Sequence, residues 1–231
     1  MFNKNINESN RQAWLKKTLA ALPAGSRILD VGAGELQNRQ HCGHLEYVSQ
    51  DFCQYDGAEG GAPDEGLKTK SWNSSRIDLV SDIAAIPAPD ASFDAILCSE
   101  VLEHVPEPTH ALDEFARLLK PGGKMILTAP FASLVHMAPY HYYSGFSRYW
   151  YEHHLQLRCF EIVELIPNGD WFAYLEQEIT RLGGLERQRG NWSWPIAYTY
   201  SLLGWLYFKL RSDKVAEDLA SFGWHCVAVK N

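Results

Sequence analysis

Apolar and polar positions along the chain follow two periods, and the switches between them mark its elements. From about Glu8 to Leu22, the residues Trp14, Leu15, Leu19 and Leu22 share one face of a predicted helix. Pro23-Ala24-Gly25 stops that helix. Ile28, Leu29 and Val31 then form a short apolar strand over 26–31, followed by the turn Gly32-Ala33-Gly34. Residues 45–51 read as a second strand ending in Asp51, and the Gly-, Asp- and Ser-rich stretch between 55 and 75 reads as a loop. Strands follow over 76–83 and 91–99. A helix over about 108–119, apolar at Leu112, Phe115, Leu118 and Leu119, is expected to stop at Lys120-Pro121-Gly122-Gly123. A strand over 124–130 comes next, then one over 159–166. The pattern closes with a helix over about 170–182 ended by Gly183-Gly184, a second helix within 191–208, and a last apolar strand over 223–229.

Strands that alternate with helices predict an α/β fold: a doubly wound, mostly parallel sheet with helices on both faces. Such sheets bind ligands beyond the carboxyl ends of their strands. Asp30, Asp51, Asp82 and Ser99 would all stand on that edge. Gly32 and Gly34 supply a tight turn, because glycine accepts positive φ and has no side chain to block a ligand. A dinucleotide-type phosphate turn would need a third glycine where Gln37 stands. Asp30, just ahead of the first glycine, would also repel a phosphate and suits a cationic or amine-bearing ligand. An acid at the end of the second strand can accept hydrogen bonds from both ribose hydroxyls. The plainer reading of Asp51 is a cap or turn acid, and that of Asp82 and Ile83 is a capping acid followed by a core residue.

Composition narrows the class. A chain of 231 residues, 46% hydrophobic, suits one domain with a sizeable core. A net charge of −7 without blocks of like charge argues against nucleic acid as a partner. Five cysteines, none paired as C-x-x-C, argue against a disulfide framework or thiolate zinc site and fit a reducing, cytoplasmic setting. The polar start of the chain lacks the apolar core of a signal peptide. Residues 191–208 are uncharged and rich in Trp and Tyr, but polar residues and Pro195 interrupt them. They are read as a helix packed on the domain rather than a membrane span, which needs about 20 predominantly apolar residues. The alternative for this stretch is a membrane-surface or oligomer-forming face, with Lys209 and Arg211 at headgroup level.

Three stretches carry a resemblance. Asp30-Val31-Gly32-Ala33-Gly34-Glu35-Leu36 follows the pattern D-x-G-x-G-x-G up to its last position, where Leu36 replaces glycine. Phe93-Asp94 opens the fourth strand, and Leu118 to Pro130 reads LLKPGGKMILTAP. Together these segments resemble the class I S-adenosylmethionine-dependent methyltransferases, well over about residues 25–167 and loosely beyond. The resemblance implies a Rossmann-like seven-stranded sheet with the last strand antiparallel, inserted beside the strand that follows the fifth. It implies S-adenosylmethionine as donor and S-adenosylhomocysteine as product. It places the cofactor on Asp30, Gly32, Ala33, Gly34, Asp51, Phe52, Asp82, Ile83, Ser99 and Glu100, with Asp51 on the ribose and Asp82 and Ile83 on the adenine. It further suggests a single domain over 1–231, an aromatic lid over 131–159 and an inserted aromatic helix over 185–210.

The expected reaction is methyl transfer to a small-molecule or glycan acceptor, with oxygen as the target atom. The alternative is a binding module that keeps the fold and the cofactor without turnover, motivated by Leu36. A hydroxyl acceptor calls for a base near its proton. His104, after the fourth strand, and His141, in the lid, are the candidates; His136 lies in the same lid. Glu100, Glu103 and His104 have the spacing E-x-x-E-H and would share one face if helical. That run is similar to the cluster of ubiquinone-pathway O-methyltransferases, some of which use a metal, while related enzymes carry E-H at this place without one. The expectation here is no metal. Either monomer or oligomer fits the sequence.

Overall fold

The computed structural model describes residues 6–55, 73, 75–209 and 219–231. The loop expected between 55 and 75 lies mostly outside these residues, as does Arg211. The described residues form two compact units. One contains Arg11–Ile166 and Gly223–Asn231; the other contains Pro167–Phe222 with the chain start up to Asn10.

The larger unit is built on a sheet. Its elements in chain order are α1 (Ile6–Ala20), β1 (Arg27–Val31), β2 (Glu46–Asp51), β3 (Leu79–Val80), β4 (Phe93–Ser99), α2 (Pro108–Leu118), β5 (Leu119–Pro130), α3 (Arg148–Leu157), β6 (Phe160–Asn168) and, after two helices of the smaller unit, β7 (Gly223–Lys230). The sheet has seven strands in the order β3-β2-β1-β4-β5-β7-β6. β1, β2, β3, β4 and β5 pair in parallel, and β7 runs antiparallel to β5.

Alternation along the central strands explains why the sheet is covered on both faces. Leu29, Val31, Ile96, Cys98, Met125 and Leu127 face one core with Ala111, Leu112, Phe115 and Leu118 of α2. Ile28, Ala95, Leu97 and Ile126 face the other with Trp14, Leu15 and Leu19 of α1. Strands buried on both sides read as continuous apolar runs, as these do. Each fully buried Leu, Ile or Phe contributes about 1.5–3 kcal/mol.

Three element boundaries differ from expectation. The strand read over 76–83 pairs only at Leu79 and Val80. Just before it, side chains replace the ladder: the Ser49 amide and hydroxyl both donate to Asp78 Oδ2, and the Asp78 amide donates to Ser49 Oγ. Lys120-Pro121-Gly122-Gly123 does not separate helix from strand. Leu119 already pairs with Phe93, and the register shifts before Lys124 pairs with Ala95, so the glycines form an irregularity inside β5. Gly122 takes a φ of 75° there, open to a residue without a side chain.

The third difference lies in the smaller unit. Its helix α4 (Trp171–Gln188) runs through Gly183-Gly184 instead of ending there. Gly183 is a contact glycine: a Cβ would lie 2.8 Å from Tyr198 Cγ on α5 (Trp194–Lys209). Gly204 of α5 likewise meets Ile179, and Ser201 Oγ donates to the Ile179 carbonyl at 2.6 Å. Asp170 caps the start of α4 by accepting from the Ala173 amide. No helix among the described residues is long and apolar enough to cross a membrane.

Candidate active site

β1 and β4 are neighbours although β2 and β3 intervene in sequence, so the strand order reverses between them. The crevice beyond their carboxyl ends is where open α/β sheets bind ligands. On one side stands the turn Gly32-Ala33-Gly34, with φ of 66° at Gly32 and 49° at Gly34. Val101, just after β4, packs against it: a Cβ on Gly32 would come within 2.5 Å of Val101 Cγ2. Leu36, in the place of the third glycine, keeps the left-handed backbone, with φ 61° and ψ 33°. Its side chain is buried. A left-handed non-glycine residue costs roughly 1–2 kcal/mol.

The end of β2 ties this turn down. The Gly34 amide donates to Asp51 Oδ2 at 2.9 Å and the Cys53 amide to Asp51 Oδ1 at 2.8 Å. Gln50 Nε2 donates to the Ser81 carbonyl at 2.7 Å, which holds the turn after β3 in place. Asp82 is exposed, and its Oδ1 accepts from the Ala84 amide; Ile83 packs on the core. Asp30 lies beneath the glycine turn. It is 1% exposed, and its Oδ2 accepts from the Tyr47 hydroxyl at 2.6 Å. Burial raises its pKa to about 7, against hydrogen bonds from Tyr47 and Asn38 that favour the charged form.

Beyond β4, Ser99 Oγ is 2.8 Å from Thr128 Oγ1, and Thr128 donates to Glu100 Oε1 at 2.9 Å. Glu100 Oε2 pairs with Arg11 at 3.1 Å. The helical face expected for Glu100, Glu103 and His104 is not formed. Glu100 has a φ of 56°, and only Leu102–His104 make a short 3-10 turn. With both Glu100 oxygens engaged elsewhere, this trio does not fit a shared metal.

The segment after β5 reaches across both strand ends. Tyr140 meets Phe52 edge to face at 5.2 Å, beside the end of β2. The Tyr140 carbonyl accepts from His104 Nδ1, and the amides of Tyr142 and Tyr143 donate to the Glu103 carbonyl at 3.0 and 3.2 Å. Phe146 and Tyr151 belong to the core, whereas Tyr142, Tyr143 and Tyr149 are exposed. Ser147 precedes α3, but its side chain makes no capping bond.

The chain matches the family described as a methyltransferase domain over residues 3–192. It belongs to the class I S-adenosylmethionine-dependent methyltransferase family. A ubiquinone biosynthesis O-methyltransferase of Xanthomonas oryzae pv. oryzae is 39% identical over 116 residues, which cover 46% of this chain and 43% of that one. The methyltransferase thus spans less than half the length of that curated relative. The crystal structure of the cyclase SpnF is similar in fold, with a TM-score of 0.57 and 20% identity over 96% of this chain and 80% of that one. Phosphoethanolamine N-methyltransferase 2 of Haemonchus contortus, bound to S-adenosyl-L-methionine, gives a TM-score of 0.54 and 18% identity over 96% of this chain and 52% of that one.

The crevice of this methyltransferase suits its family's cofactor. Its exposed or partly engaged side chains are acceptors, Asp51 and Asp82 above all. Such a set favours hydroxyls, an amino group and a sulfonium over a phosphate. Each Asp51 oxygen accepts one backbone bond and keeps capacity for another.

His104, His136 and His141 lie close together after the ends of β4 and β5. Burial, then the neighbouring His136, pushes the His104 pKa down to about 4, although the Tyr140 carbonyl favours its charged form. His141 is lowered by burial and then by His136. Glu103 is fully buried, and burial followed by the Glu100 charge raises it well above the usual carboxylate range. Sequence reasoning passed over Glu103 as a buried group, along with Gln50, Val101 and the part of His136. Gln50 was visible as the polar residue before a strand-end acid; the others depend on contacts between distant segments.

Proposed function

We propose that this methyltransferase moves a methyl group to a hydroxyl of a small, ring-bearing molecule or a sugar. When bound, S-adenosylmethionine supplies a methyl group activated on a sulfonium sulfur. Asp51 takes the ribose hydroxyls while holding the glycine turn, and Asp82 and Ile83 take the adenine. The observation that carries the acceptor side is a set of buried ring nitrogens without partners. His104 Nε2 and both ring nitrogens of His141 are buried without a hydrogen-bond partner. Because a carbonyl only accepts, His104 donates its Nδ1 proton to Tyr140 and keeps an open Nε2. That nitrogen accepts the acceptor's O–H and aims the oxygen at the methyl carbon. With the cofactor bound, His104 or His141 would take the hydroxyl proton as the methyl group is transferred to oxygen. Positioning of this kind supplies roughly 7–11 kcal/mol in favourable cases.

The named activity of the Xanthomonas relative supports oxygen and a ring-bearing acceptor, as do Tyr140, Tyr142 and Tyr143 around the mouth. A second reading, a cofactor-binding module without turnover, rests on Leu36, whose buried side chain stands in the place of the third glycine. Incubation with methyl-tritiated S-adenosylmethionine and a panel of phenols, catechols and sugars tests both. Label in an ether product supports transfer to oxygen. Tight cofactor binding with no labelled product across the panel supports the module.

A further inference from the structure

Three histidines from two segments, one after β4 and one after β5, converge in the larger unit. One ring nitrogen each of His104, His136 and His141 lies within 4.8 Å of the other two. The rings are 4.7 Å (His104–His136), 4.9 Å (His136–His141) and 5.9 Å (His104–His141) apart. Two of them are fixed in the same way. His104 Nδ1 sits 2.5 Å from the Tyr140 carbonyl oxygen, and His136 Nδ1 sits 2.9 Å from the Leu134 carbonyl oxygen. Each therefore donates from Nδ1 and leaves Nε2 bare. Metal-binding histidines are oriented in this manner, with the far nitrogen on a carbonyl and the near one on the ion.

The surroundings ask for a cation. His104 Nε2 and both nitrogens of His141 are buried and unpartnered, so His104 and His141 each have one lone pair available beside the other. Beside them, Glu103 is fully buried with neither carboxylate oxygen hydrogen-bonded, and its Oε1 is 3.7 Å from His104 Nε2. We propose that His104, His136 and His141 bind a zinc-class transition-metal ion, with Glu103 as the adjoining carboxylate. Imidazole donors select zinc, cobalt, nickel or copper, whereas magnesium and calcium want oxygen. Metal–nitrogen bonds of about 2.0–2.1 Å place tetrahedral donors about 3.3 Å apart, so small ring movements close the set. Three protein nitrogens leave a fourth position open, as catalytic zinc sites do. The donor set differs from the E-x-x-E-H run, since Glu100 is bound to Thr128 and Arg11. A role for the ion in holding the acceptor oxygen and lowering its pKa rests on the methyl-transfer reading and would replace the direct contact of His104 or His141 with the hydroxyl, since each ring lone pair serves one partner; binding of the ion does not.

The test uses the full chain, stripped with a chelator and dialysed. Zinc is titrated in competition with a chromogenic chelator, and cobalt is followed by its visible spectrum. One zinc per chain is expected, with four-coordinate cobalt absorption and no displacement by excess magnesium. His136→Ala and His141→Ala are each expected to weaken zinc binding by more than roughly 100-fold, beyond the usual loss from an outer-sphere partner. His153→Ala, an exposed residue on α3, should bind zinc as the unaltered chain does. Stoichiometric zinc lost in both variants supports the site. No zinc binding, or binding unchanged in His136→Ala and His141→Ala, overturns it. S-adenosylhomocysteine titrations of the same samples report folding and the cofactor reading separately: zinc without nucleoside binding leaves the metal site standing alone, and nucleoside without zinc overturns only the metal site.

Discussion

The carboxylate of Asp51 accepts a hydrogen bond from the Gly34 amide at 2.9 Å, so the strand end expected to take the ribose also holds the glycine turn. One residue thereby holds the turn and, in the proposed function, accepts from the ribose. Its other oxygen takes the Cys53 amide, which fixes the chain leaving β2. Asp51→Ala leaves two backbone donors without their partner. A hydrogen bond to a charged group is worth about 1.5–3 kcal/mol, so a stability loss near that size is expected. Amide exchange at Gly34 should quicken in the variant; an unchanged exchange rate would contradict the clamp.

Gly32 has a different role, set by space. Its φ is 66°, and an added Cβ would meet Val101 at 2.5 Å. Gly32→Ala is expected to destabilise the chain by about 1–3 kcal/mol through backbone strain and the clash. Adding Val101→Ala should recover part of that loss, because the residues couple by contact. A thermal-melt double-mutant cycle checks it: purely additive effects would show that Val101 does not crowd the turn.

The buried acid at the end of β1 predicts a pH dependence. Asp30 titrates near 7 in the folded chain against an ordinary 3.8. The folded state therefore holds a proton that the unfolded state has released over this window. Stability is expected to fall as pH rises from about 4 to about 7, then level off, by on the order of 4 kcal/mol. Asp30→Asn should flatten this limb. Denaturant melts of both chains across pH 4–8 measure the difference, and parallel curves would refute it. Tyr47→Phe removes the donor at 2.6 Å and should push the Asp30 titration higher still.

Two adjacent glycines in α4 should respond oppositely. Gly183→Ala puts a Cβ 2.8 Å from Tyr198 and is expected to loosen the α4–α5 pair. At Gly184 an added Cβ meets nothing within 4 Å. Gly184→Ala should stabilise by about 0.4–1 kcal/mol through helix propensity and a less flexible unfolded chain. Thermal melts of the two variants that shift together would contradict this assignment.

Much of the fold was legible because its rules are local. Apolar runs gave β1, β4 and β7, and a terminal acid marked the end of β2. The same local rules misplaced what distant contacts decide. β3 is short because Ser49 and Asp78 pair through side chains before it. Gly183-Gly184 looks like a helix stop, yet Gly183 is where Tyr198 packs. At the site, the positions of the glycine turn after β1 and of Asp51 at the end of β2 were readable from two separate strand ends. Asp30 was read as facing a cation, but its carboxylate turns to Tyr47 beneath the turn. The meeting of His104, His136 and His141 has no sequence spacing to announce it, since the bend of the segment after β5 creates it.

The account rests on a sulfonium nucleoside lying against the carboxyl edge of the sheet, held by Asp51. Calorimetric titration of S-adenosylhomocysteine into the unaltered chain and into Asp51→Ala tests that claim most directly. One nucleoside per chain, bound at least about tenfold more weakly by the folded variant, is the expected result; a tenfold change corresponds to about 1.4 kcal/mol. No binding by the folded, unaltered chain, or equal affinity in the two, would contradict it.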